Sequence, residues 1–169
     1  NYSTAKILMA DILETREMYA EANKMYDSIL KDDITYYPAQ LKKSRNYIKQ
    51  KNYTSAEKLL KSLAKQYDDS QIYMDLGDIL RANKRYSEAV KYYDMAISNS
   101  DDKIILFSYA LDLIYLHEFS EALPYLLSLK ETPGILPLDR INFNIGRCYH
   151  EEVCLYKSIE YYKKTIKLN

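Results

Sequence analysis

Cys148, His150 and Cys154, in the order Cys-x-His-x-x-x-Cys, are the residues whose types best suit metal chemistry. On a helix of 3.6 residues per turn, Cys148 and His150 diverge by about 200°, so the three side chains cannot converge on one ion. The same geometry points the two thiols in different directions and argues against a disulfide. His117 stands apart, and without a His-Glu-x-x-His pair the common zinc-hydrolase arrangement is excluded. Gly77, Gly134 and Gly146 lie too far apart to form a phosphate-cradling loop. Nothing places a serine on the strained elbow that activates a nucleophile. The expectation is therefore no catalytic residue, no cofactor and no metal. The 19 tyrosines include the pairs Tyr36-Tyr37, Tyr92-Tyr93 and Tyr161-Tyr162, which suit a stacking platform. Many of them fall on regular apolar positions, however, and the expected role is packing.

With no chemistry to position, the elements must be read for what they could hold. The 24 Lys+Arg balance 24 Asp+Glu, which removes the long-range positive field that nonspecific binding to nucleic acid or an anionic membrane requires. The longest apolar stretch, Ile104 to Leu116, contains Asp112 and falls short of the roughly 20 residues of a spanning helix. Only three Gly and four Pro occur among 169 residues, too few to punctuate an all-β chain, so helix is the prior. Abundant Lys, Asn, Ile and Tyr fit an AT-rich genome, and a bacterial source is expected. Nothing in the composition assigns a compartment.

Self-comparison is more informative. A small residue preceded three positions earlier by a bulky one recurs as Tyr19/Ala22, Tyr53/Ala56, Tyr86/Ala89, Phe119/Ala122 and Leu155/Ser158, at intervals of 34, 33, 33 and 36. Upstream of each lies a second apolar stripe at helical spacing, clearest in Tyr73, Leu76-Gly77 and Leu80, and again in Ile145-Gly146 and Tyr149. Each repeat is thus a helix pair, with Gly77 or Gly146 allowing close approach and the small residue admitting its neighbour. Bulk at Ala89 is expected to split the pair.

These residues resemble the tetratricopeptide repeat (TPR) family over essentially the whole chain. Leu76, Gly77, Tyr86, Ala89, Tyr93 and Ala96 stand at the signature positions of the closest-matching repeat. The resemblance implies an all-α, right-handed α-solenoid of about five helix-turn-helix repeats, hence about ten helices. The expected domain is a single one, 1–169, with repeats at about 3–36, 37–69, 70–102, 103–138 and 139–169. The family often has Gly at the turn between paired helices. Here the turns read Gln50-Lys51-Asn52 and Asn83-Lys84-Arg85, and Asn is expected to take the left-handed conformation. The join Glu131 to Leu138 is expected to be an ordered loop. Repeat five departs most, with Ser158 and Leu155. The last helix carries no polar capping face, so either a longer parent chain or packing on another copy is expected.

The resemblance also implies a concave groove lined by the first helix of each pair, and with it a protein-interaction scaffold that binds a peptide or helix of a partner. Carried over one by one, the groove positions hold Ile7, Asp11 and Glu14; Leu41, Lys42, Arg45 and Lys49; Met74, Asp78 and Arg81; Phe107, Leu111 and Tyr115; and Arg140, Phe143, Asn144, Arg147 and His150. Phe107 and Leu111 are the expected apolar anchors, and Arg45, Lys49, Arg81 and Arg147 the expected partners of acidic side chains. Lys42, Asp78 and Asn144 complete the candidate set. The Lys-Asn, Asn, Lys-Arg clamp by which some family members hold chaperone tails is absent from every triple: Ile7, Asp11, Lys42, Gln71 and Asp75 do not form it, nor do Leu41, Arg45, Asp75, Ile104 and Ser108, nor Met74, Asp78, Ser108, Arg140 and Asn144. RNA binding calls for a continuous basic groove, which Asp11, Glu14, Asp75 and Asp78 interrupt. The alternative to a peptide scaffold is structural self-assembly or oligomerisation through the uncapped C-terminal end.

Overall fold

The computed structural model describes residues 2–131, 134 and 136–168. They form ten helices and no strand: α1 (Tyr2–Thr15), α2 (Tyr19–Asp27), α3 (Tyr36–Lys49), α4 (Tyr53–Ala64), α5 (Ser70–Ala82), α6 (Tyr86–Ser98), α7 (Lys103–Tyr115), α8 (Phe119–Glu131), α9 (Leu138–Glu151) and α10 (Leu155–Leu168). None is long and apolar enough to cross a membrane. The chain divides into two compact units, Asn1–Ile79 and Leu80–Asn169. Of the join at 131–138, residues 132, 133 and 135 lie outside the described residues.

The turns within the five pairs are built alike. Glu17, Lys51, Lys84, His117 and Val153 each adopt a positive φ, between 57° and 65°. The amide that follows each of them, on Met18, Asn52, Arg85, Glu118 and Cys154, donates back to a carbonyl five residues earlier at 2.8–2.9 Å. This is the Schellman arrangement, which satisfies carbonyls that a helix end would leave without partners. The left-handed position therefore falls on Lys51 and Lys84 and not on the neighbouring asparagines, correcting the sequence expectation. Asn52 instead caps α4, its side-chain oxygen accepting from Ser55 N at 3.2 Å.

A β-branched residue in the left-handed region is strained, because Cβ crowds the following carbonyl. Val153 is in that state, with φ 60° and 78% exposure, so its side chain gains little packing in return. Val153→Gly relieves strain of about 1–2 kcal/mol, offset by about 0.5–1 kcal/mol of added unfolded-state freedom. The variant is expected to melt roughly 1–4 °C above the parent chain. A lower midpoint in a thermal scan would show that the valine is not strained there.

The small residues sit at the tightest points. Ala22, Ala56, Ala89, Ala122 and Ser158 are all buried. Four residues after each of the four alanines comes a fully buried large side chain: Tyr26, Leu60, Tyr93 and Leu126. In the last pair Gly146 has the role expected of it, since a Cβ there would lie 2.7–2.8 Å from two ring carbons of Tyr162. The absent side chain lets α9 and α10 approach.

Candidate functional site

The two units present their candidate residues in different states. In the first, Lys42, Arg45 and Lys49 lie along α3, and acidic groups on other helices pair with all three. Lys42 Nζ is 2.7 Å from Asp11 and Lys49 Nζ is 3.3 Å from Glu14, both carboxylates on α1. Arg45 Nε donates to Asp75 of α5 at 3.0 Å, and its Nη2 donates to Gln71 Oε1 at 3.1 Å. The Tyr26 hydroxyl is 2.5 Å from Glu14 and 3.1 Å from Asp11, and burial together with these two carboxylates pushes its pKa up. Asp75 is only 6% exposed; desolvation raises its carboxyl above the usual range, with Arg45 opposing. Asp11, Glu14 and Asp75 thus neutralise the three basic residues of α3 within this unit. Asp78 is half-buried on α5.

In the second unit, Arg81 packs over Tyr93, 5.6 Å from the ring centroid. Phe107 is 6% exposed and sits 5.7 Å from the Arg140 guanidinium, which makes it a core residue under an arginine. Leu111, Asn144 and Arg147 come together at a pocket of about 310 Å³, completed by Tyr115, Asp139, Arg140, Phe143 and Thr165. Asn144 Nδ2 donates to the Arg140 carbonyl at 2.8 Å and its Oδ1 accepts from Arg147 Nη1 at 3.5 Å. The contacts of Arg140 and Arg147 among the described residues are thus to an aromatic ring and an amide, not to carboxylates. Tyr115 and Phe143 are each about half exposed, and Tyr115 stacks on Tyr86 at 4.6 Å. The pocket therefore offers apolar surface beside two guanidinium groups.

The resemblance to the tetratricopeptide family places Leu111 and Tyr115 of α7, and Arg140, Phe143, Asn144 and Arg147 of α9, at groove positions. It misses Asp139, at the first turn of α9, and Thr165, which α10 contributes from the second helix of its pair. No signal within a single helix could have assigned Thr165. Cys148 is buried, with its thiol pushed up to about 11 by desolvation, whereas His150 is exposed. Both cysteines are free. No group of three His, Cys, Asp or Glu among the described residues could hold a metal ion.

The tetratricopeptide repeat family model matches residues 41–103. A search of curated proteins finds no match for the chain. Among solved structures, YrrB, described as a TPR protein with an unusual peptide-binding site, is 22% identical and superposes with a TM-score of 0.80, covering 97% of this chain and 84% of that one. MamA gives a TM-score of 0.81 at 20% identity, covering 94% and 93% of the two chains. MamA from Desulfovibrio magneticus RS-1 gives 0.83 at 10% identity over 99% and 95%. At these identities the likeness establishes the fold, an all-α tetratricopeptide solenoid whose ten helices make about five repeats.

Proposed function

We propose that the chain, which has the tetratricopeptide fold and matches that family's model over residues 41–103, is a non-catalytic protein-interaction scaffold that holds a peptide or helix of a partner protein. We place that contact at the pocket formed by α7, α9 and α10. The observation that carries this reading is the pairing of apolar Leu111 and Phe143 with Arg140 and Arg147, whose contacts among the described residues are not to carboxylates. The match to YrrB, described as peptide-binding, agrees with it. The occupant is an extended or helical segment with an acidic residue beside an apolar one, because charge-assisted bonds to guanidinium are stronger than neutral ones. Lys42, Arg45 and Lys49 contribute less, since each must first leave an internal carboxylate. The balanced net charge argues against nucleic acid, and the repeats are read as one domain, 1–169.

A randomised peptide display selection tests this. Selected peptides are expected to carry Asp or Glu next to an apolar residue. Arg140→Gln/Arg147→Gln is expected to weaken them about tenfold or more, while Lys42→Gln changes affinity little. Peptides without acidic enrichment, or indifferent to the arginine variant, would place recognition elsewhere on the molecule.

A second reading, self-assembly through the C-terminal end, is favoured by Leu155, Tyr156, Ile159 and Ile166 of α10, all large, apolar and exposed.

A further inference from the structure

Eleven residues before the left-handed residue of each turn lies a position of the first helix that one interior repeat fills differently. Gln40, Tyr73 and Asn142 stand there in the second, third and fifth repeats, and all three are buried. In the fourth repeat the residue is Leu106, which is only half-buried. Beside it opens a cavity of about 390 Å³, with Ile97, Leu106 and Leu129 as its apolar lining and Asp101, Asp102, Lys103 and Glu131 as its charged one. These residues belong to α6, α7, α8 and the turn between α6 and α7.

The third repeat shows what the fourth lacks. The Tyr73 hydroxyl donates to Asp68 Oδ1 at 3.0 Å, and the residue is 6% exposed. Asp68 lies five residues before Tyr73, and the same step back from Leu106 reaches Asp101. Each is followed by an aspartate that caps the next helix: Asp69 accepts from Gln71 N at 2.7 Å and Asp102 from Ile104 N at 2.8 Å, so the two turns keep one register. Tyr67 is matched by Ser100, which removes a second ring at the same turn. The fourth repeat therefore has the acceptor and the space without the phenol. Among the described residues no donor bonds the Asp101 carboxylate.

We infer that the cavity beside Leu106 receives a tyrosine side chain of a partner polypeptide, whose hydroxyl donates to Asp101 as that of Tyr73 does to Asp68. A void of about 150 Å³ is enough for benzene, so 390 Å³ takes the ring and leaves room for an adjoining residue, which favours a peptide over a free phenol. Three carboxylates against one ammonium at the opening suit a basic residue beside that tyrosine. The inference rests on the reading of the chain as a scaffold for a partner protein, and the cavity shares no residue with the pocket formed by α7, α9 and α10.

An NMR titration of the labelled protein with the peptide acetyl-Lys-Tyr-Lys-amide tests it. The peptide is expected to shift the signals of Ile97, Leu106 and Leu129, and its phenylalanine counterpart to bind about tenfold more weakly for want of the hydroxyl. Asp101→Ala, at an exposed position, is expected to weaken the tyrosine peptide about tenfold and to abolish its advantage over phenylalanine. Leu106→Tyr, which restores the ring and hydroxyl of the third repeat, is expected to close the cavity to both peptides with unchanged helical circular dichroism. No shift at these residues, equal affinity for the two peptides, or a preference for tyrosine that survives Asp101→Ala would each overturn the inference. Arg140→Gln/Arg147→Gln should leave this titration unchanged while weakening the acidic peptides of the other pocket, so failure at one site is distinguishable from failure at the other.

Discussion

Tyr93→Ala is expected to destabilise the protein by about 3–5 kcal/mol, through lost transfer energy and the cavity left behind. The side chain has no exposed surface, lies under the Arg81 guanidinium and occupies the repeat position filled elsewhere by Tyr26, Leu60 and Leu126. For a chain of this length each kcal/mol lowers the midpoint by about 2–4 °C, so a fall of roughly 6–20 °C is anticipated. Tyr93→Leu is the informative control. Leucine is the natural occupant at two equivalent places, so the loss should shrink to about 1–2 kcal/mol. Urea unfolding of the three proteins measures both differences. Similar losses for alanine and leucine would mean that the tyrosine contributes something other than filled volume at the tightest point of its repeat.

The second large effect concerns Arg45, which the sequence offers as a groove cation and the structure commits to Asp75. Asp75 is buried whereas the Arg45 side chain is 39% exposed, so removing the guanidinium leaves a buried carboxylate without its ion partner, at a cost that solvent screening of the arginine reduces to about 1–3 kcal/mol at neutral pH for Arg45→Leu. The pH dependence identifies the cause. Burial already holds the Asp75 carboxyl above its usual range, with Arg45 pulling it down, so loss of the guanidinium raises it further. A carboxyl whose folded pKa exceeds its unfolded value penalises folding wherever it must ionise. That penalty is absent below the unfolded value of about 4 and complete above the folded one. The deficit of Arg45→Leu relative to the parent should therefore narrow as pH falls towards about 4, and Arg45→Leu/Asp75→Asn should recover most of it at neutral pH. A deficit independent of pH, or one that the second substitution fails to reduce, would assign the loss to packing of the arginine stem. Either result bears on function, because a residue whose substitution destabilises the first unit confounds a test of partner binding.

What the sequence determined by itself was periodic. The small residues at 22, 56, 89, 122 and 158, each three positions after a bulky one, were enough to give the helix pairs, the buried alanines and the close approach at Gly146, because the steric requirement for a small residue recurs once per repeat and acts through neighbours in the chain. The face of each first helix was legible for the same reason: a spacing of three and four residues puts Leu111 with Tyr115, and Arg140 with Phe143, Asn144 and Arg147. The tertiary structure decided which of those residues remain open to a partner. Arg45 and Asp75 are thirty residues apart, and Lys49 and Glu14 thirty-five. Their pairing depends on the distance between helices and on rotamers, which a one-helix period does not encode. Phe107 looked like an anchor from its place on the stripe and is core, because Arg140 arrives over its ring from another repeat. The turns divide along the same line. The pattern located them, but the Schellman geometry put the left-handed conformation on Glu17, Lys51, Lys84, His117 and Val153, since the hydrogen bonds of the preceding helix end fix that position whatever residue occupies it.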